Sequence, residues 1–190
     1  MFNSDAVRAM LERYYPKSAI EFMRRSGIRC HTLGPGEKFY DASPLLRRIG
    51  ARVDDWPIPP AGLFTTEDRS VILRSTSPMT VAHEFGHALD CSLGGGVYLS
   101  GIDPKIQEAY ASASCFVTPY AASSGDEHFA ECVRAFLGVN DPHSLWPEVS
   151  RARLAEVNPT MHGIISSLFA DLEKRFGDRP GEQLRMDFAA

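Results

Sequence analysis

The chain has 190 residues, of which 44% are apolar and 23% charged, enough to bury a core without cross-links and too apolar for a disordered chain. Its formal charge of -4, with no basic run longer than a pair such as Arg24-Arg25, excludes the clustered cations that nucleic acid demands. No stretch approaches the roughly 18 consecutive apolar residues of a bilayer span, so neither a nucleic acid nor a membrane is expected as a partner.

In chain order, Asp5 to Tyr15 carries Val7, Met10, Leu11 and Tyr14 at helical spacing, and Pro16 ends that helix. Ser18 to Arg25 reads as a second, short one. Between Arg29 and Pro60 the apolar pieces are short and broken by Gly34-Pro35-Gly36, Gly50 and three prolines, a texture that predicts strands, turns and a surface loop. Gly62 to Thr66 and Ser70 to Arg74 flank Glu67-Asp68-Arg69 as a β-hairpin. Ser75-Thr76-Ser77 followed by Pro78 is a helix start, and that helix runs to Gly94-Gly95-Gly96. Further helices are predicted from Asp103-Pro104 to about Ser114, from Asp126 to Leu137, from Val149 to Val157 and from Pro159 to Phe176, with a frayed end over Gly177 to Ala190. The length predicts a single domain over 1–190, with an N-terminal part over 1–60, a core over 61–138 and C-terminal helices over 139–190. Cys30, Cys91, Cys115 and Cys132 form no CxxC pair and read as small core residues, with one bridging pair as the alternative for a protein working outside a cell. The first residues lack a basic segment followed by an apolar one, so no signal peptide is read and the cytoplasm is the default location, with secretion or delivery into another cell as alternatives.

The residues that carry chemistry are His83-Glu84-Phe85-Gly86-His87. On a helix, residues four apart share a face, so both imidazoles reach one metal ion while Glu84 lies one residue round, within reach of a water on that metal. Two neutral imidazoles and a third ligand hold one Zn²⁺ per chain and leave a position open for water; Glu84 is then the general base. Ala82, Phe85, Leu89 and Leu93 form a separate apolar stripe for the core. Gly86 inside the helix costs about 1 kcal/mol relative to alanine, and it reads either as a closely packed neighbouring backbone or as a merely tolerated glycine. Asp90, one turn beyond His87, is placed to orient a ligand histidine from behind, or else faces solvent near the helix end.

The third ligand is not local. A metzincin pattern needs Gly at position 90 and a ligand at position 93, where this chain has Asp90 and Leu93. The candidate lies forty residues after His87, in Glu127-His128-Phe129-Ala130-Glu131. Glu127 and Glu131 share one polar stripe, so Glu127 can ligate while Glu131 supports a ligand histidine. Ser124-x-x-Glu127 is also a capping box, and on chemistry alone capping stands ahead of ligation for Glu127. His128 is a rival ligand that lies off the stripe.

The run His83 to Asp90, then Tyr120, then Glu127-x-Phe129-Ala130-Glu131 resembles the catalytic domain of anthrax lethal factor and the related secreted Pro-Pro endopeptidases. The resemblance spans about Ala61 to Phe136. It implies an α+β zincin-like metallopeptidase domain, mostly helical, with a small mixed sheet whose edge strand, matched here by Ser70 to Arg74, flanks the active-site helix. It further implies His83, His87 and Glu127 as zinc ligands, Glu84 as base and Tyr120 as the group that assists at the oxyanion. The expected function is a zinc-dependent endopeptidase acting, as a monomer, on a protein or peptide substrate; the alternatives are a zincin-like binding module with a structural metal or none, and a toxin or effector protease acting in another cell.

Overall fold

The computed structural model describes residues 4–142 and 144–177. The frayed end expected beyond Gly177 lies outside the described residues. Helix α1 (Asp5–Tyr14) and α2 (Lys17–Arg25) are separated by Pro16, whose ring ends one helix and whose backbone caps the next. Strand β1 (Arg29–Thr32) follows, and then two short helices, α3 (Phe39–Ala42) and α4 (Pro44–Ile49). These two differ from the expectation of strands and loops over this stretch. Ser43 accepts from the Leu46 N–H and Pro44 stands at the first helical position, so a single strong start signal sufficed for a six-residue helix that periodicity cannot reveal.

Strands β2 (Gly62–Thr65) and β3 (Ser70–Leu73) form the expected antiparallel hairpin, with Gly62 opposite Leu73. Strand β1 then pairs with β3 in parallel, Arg29 opposite Ser70, giving the order β1-β3-β2. Ser70 to Arg74 was expected to be the edge strand beside the active-site helix. It is instead the centre of the sheet, and β2 is the edge on that side, because β1 returns from 38 residues away in sequence to cover the other side of β3.

Helix α5 (Pro78–Leu93) runs through the middle of the molecule. Ser77 accepts from the Thr80 N–H at its start and Pro78 occupies its first position. The remaining helices are α6 (Pro104–Ala111), α7 (Gly125–Phe136), α8 (Arg151–Val157) and α9 (Pro159–Phe176). The sheet separates two apolar clusters. Val71, Leu73, Phe64 and Cys30 face the main core with the helices, while Ile72 turns to the other side with Phe39, Leu46 and Val53. Alternation along β3 thus assigns Val71 and Leu73 to one layer and Ile72 to the other. All four cysteines are free, with Cys30, Cys91 and Cys132 buried and Cys115 exposed. No helix among the described residues is long and apolar enough to cross a membrane.

Candidate active site

The site is built on the seam between α5 and α7, the most extensively packed pair of helices. Gly86 explains how close they come. A Cβ there would lie 2.9 Å from the Ala130 Cα and 3.1 Å from its carbonyl oxygen, so glycine on one helix and alanine on the other let the two backbones touch. That approach brings the polar stripe of α7 across the histidine face of α5.

Glu127 sits in the first turn of α7. Ser124 caps this helix, its Oγ accepting from the Glu127 N–H at 3.3 Å, yet the Glu127 carboxylate does not turn back to complete a capping box. It points across the seam instead. Its Oε2 lies 3.0 Å from His83 Nε2 and 3.2 Å from His87 Nε2, and the two Nε2 atoms are 3.2 Å apart. The other oxygen, Oε1, accepts from the Tyr120 hydroxyl at 2.8 Å. Donors about 2.0–2.1 Å from a common tetrahedral centre stand roughly 3.3 Å from one another. The three atoms observed are close to that spacing, and two imidazole nitrogens with one carboxylate oxygen form a group that can hold a metal ion. Electrostatics agrees. Burial works against charge on His83, but hydrogen bonds to Glu127 and Glu131 outweigh it and hold its pKa well above the usual histidine range. Burial likewise opposes charge on Glu127, and the two histidines overrule it and keep the carboxyl ionised. A place that draws a proton so strongly also attracts a metal cation.

Glu131, one turn along α7, holds His83 from behind. Its Oε1 lies 2.9 Å from His83 Nδ1, and Arg134 braces the carboxylate with Nε and Nη2 at 2.9 and 2.8 Å. Thr118 donates to Oε2 at 2.7 Å and accepts from the Ala121 N–H at 3.1 Å. Glu131 therefore fixes two things, the His83 ring and the 3₁₀ turn Tyr120–Ala122 that carries Tyr120. Tyr120 is 48% exposed, its ring centroid 5.5 Å from that of His83, so its phenol borders the open side of the cluster.

Asp90 differs from the expectation. Its carboxylate accepts from the Ser100 N–H at 2.9 Å and the Ser100 Oγ–H at 2.5 Å, in a fully buried position, and burial pushes its pKa up to about 6. The turn through Gly94 to Gly96 folds Leu99–Gly101 back over α5, and Ser100 meets the carboxylate before any imidazole does. His87 Nδ1 is left buried without a hydrogen-bond partner among the described residues. The His87 ring lies against Tyr98, 5.6 Å between centroids, and Tyr98 in turn lies 6.3 Å from Phe64 on β2. Tyr98 and Thr118 are contributors that residue spacing did not single out, whereas Arg134 lies on the polar stripe that spacing gives to Glu127 and Glu131.

Glu84 lies between α5 and β2, 7% exposed, and its carboxylate accepts no hydrogen bond among the described residues. Burial raises its pKa, against the pull of His83 and His87. A carboxylate raised towards neutrality beside three convergent ligand atoms is suited to accept and return a proton. His128, the rival ligand, is fully buried on the opposite face of α7 and takes no part in the cluster.

Fold and site together define an α+β zincin-like peptidase fold with a His-His-Glu group able to hold a metal ion on the α5–α7 pair. Neither a family model nor a curated protein matches the chain. Among solved structures, the Pro-Pro endopeptidase PPEP-2 from Paenibacillus alvei aligns with a TM-score of 0.60 at 17% sequence identity, over 88% of this chain and 96% of that one. That likeness is one of fold.

Proposed function

We propose that the chain is a zinc-dependent endopeptidase that hydrolyses peptide bonds with Glu84 as general base. The observation that carries this reading is the convergence of His83 Nε2, His87 Nε2 and a Glu127 oxygen, all within 4.8 Å of one another, beside the buried Glu84 carboxylate, which accepts no hydrogen bond among the described residues. His83, His87 and Glu127 would hold the zinc, which supplies a Lewis acid that polarises a carbonyl and acidifies water.

Glu84 takes the proton from the attacking water and passes it to the leaving amine. Its raised pKa serves both halves, since a base that is too acidic holds a proton too weakly to deliver it. Tyr120 turns its hydroxyl from Glu127 to the oxyanion of the tetrahedral intermediate, a donor worth a few kcal/mol in a transition state. Glu131, braced by Arg134 and Thr118, keeps His83 in the tautomer that leaves Nε2 free for the metal. The substrate is an extended peptide lying antiparallel to β2, whose outer edge pairs with no strand among the described residues.

The test is a peptide library digested by wild-type protein loaded with zinc and by Glu84→Gln. Cleavage by the wild type, reduced by about 10²–10⁴-fold in the variant at unchanged zinc content, is expected. Equal cleavage by both overturns the mechanism.

A further inference from the structure

Gly62 opens the edge strand β2 and is buried. Nothing in its backbone calls for glycine. It lies outside the left-handed region, it pairs with Leu73 in regular antiparallel register, and the preceding carbonyl, Ala61 O, accepts from both Arg74 N and Ser75 N at 2.9 Å. What a side chain would meet is Glu84. A Cβ on Gly62 would lie 2.5 Å from the Glu84 Cγ, 2.9 Å from its Cδ and 2.8 Å from Oε1, and these are its three nearest neighbours. All three distances are well inside van der Waals contact. Gly86, inside the same motif, is different in kind, because a Cβ there meets the Ala130 backbone and would disturb helix packing.

The Glu84 side chain has no hydrogen bond among the described residues to hold it, so packing limits where its carboxylate can rest. Its own helix supports it on one side and the bare backbone of β2 closes the other. We propose that Gly62 is a positioning residue for Glu84: the missing side chain leaves the space in which the base sits, and a methyl group there displaces the carboxylate without moving the three ligand residues. The inference rests on the reading of Glu84 as the base. It also gives β2 two tasks. The strand on which an extended peptide pairs is also the strand that walls the base, so a shift of β2 would move both together.

The experiment compares wild type and Gly62→Ala, both loaded with zinc, by steady-state cleavage of a peptide, by zinc affinity against a competing chelator and by crystal structure. A displacement of about 1 Å in a reacting group costs on the order of 10²-fold in rate. The expected result is therefore a kcat lowered about 100-fold, with KM and zinc affinity within about 3-fold of wild type, and a Glu84 carboxylate moved by about 1 Å or more. A wild-type kcat with Glu84 unmoved overturns the proposal, and so does a parallel loss of zinc affinity, which a general disturbance of the site would cause. If Gly62→Ala does not fold, combining it with Glu84→Ala decides: recovery of folding supports the contact, and no recovery overturns it. Should the wild type cut no peptide, the endopeptidase reading falls, while the position of Glu84 in the Gly62→Ala crystal structure still decides the contact.

Discussion

The two faces of α7 carry similar residue types and opposite environments. On the face towards α5, Glu127 and Glu131 meet His83 and His87. On the other, His128 and Cys132 meet Asn158, Tyr110 and Phe116. The Cys132 Sγ lies 3.7 Å from the His128 ring nitrogens, and the Asn158 Nδ2 lies 3.3 Å from His128 Nε2. Asn158 is itself committed, its Nδ2 to the Ala109 carbonyl at 3.1 Å and its Oδ1 to the Met161 N–H at 3.0 Å, the cap of α9. The back face is buried. Burial lowers the His128 pKa to about 4 and raises the Cys132 thiol, so neither group is a charged ligand at neutral pH. On the front face the carboxylates reverse the same desolvation. A histidine beside other ligand-type side chains is therefore no metal site by composition; what distinguishes the front is that its lone pairs converge and that anions outweigh the cost of burial.

Matched substitutions test this contrast most severely. If His83, His87 and Glu127 hold zinc as proposed, His87→Gln is expected to lose it together with all measurable cleavage, whereas His128→Gln keeps one zinc per chain, as read by metal analysis after dialysis. Zinc lost equally from both would erase the distinction between the faces. Next in size is Glu131→Ala. It strips His83 of its support and leaves Arg134, 1% exposed, buried without its anion. Zinc affinity should fall 10–100-fold, within about that range for an outer partner, and unfolding free energy by about 3–5 kcal/mol in chemical denaturation. Retained affinity would confine Glu131 to the Arg134 pair.

The smallest effect concerns pH and the back face alone. The folded His128 has a pKa of about 4 against an ordinary value of 6.5. Between these values the unfolded chain binds the extra proton, so His128 leaves stability untouched above pH 6.5 and lowers it as the pH falls towards 4, by about 3 kcal/mol in full. Thermal melts of metal-free wild type and His128→Gln between pH 7 and 4.5 should show the steeper loss in the wild type. Parallel curves would mean that His128 is not buried neutral.

Much of the site is legible in the residues. The Ser77 cap, the proline after it and the spacing of His83 and His87 place two imidazoles on one helical face, and the stripe of Glu127 and Glu131 places two carboxylates on another, because helical periodicity is a local property. Of the two readings of Gly86 in a helix, the close approach holds, and Ala130 is the backbone that comes close. Asp90 shows the limit of the same reasoning. Its position on the stripe is as spacing predicts, but the partner is decided by a turn of three glycines that returns Ser100 over the helix. The short helices α3 and α4 escape for a similar reason, since four and six residues hold too little periodicity to outweigh the prolines and glycines around them.

By itself the amino-acid sequence determined the hairpin, the long helices and their caps, the polar stripes and the identity of the groups able to bind a metal, all of which follow from interactions within a few residues. Only the tertiary structure decided that β2 and not β3 is the edge strand, that the Glu127 carboxylate leaves its own cap for the histidines, that Asp90 belongs to Ser100, and that Gly62 lies against Glu84. Each of these depends on which distant segment arrives first at a given atom. That is settled by packing across the whole chain, where the free energy of burying one surface selects among partners that look equivalent in sequence.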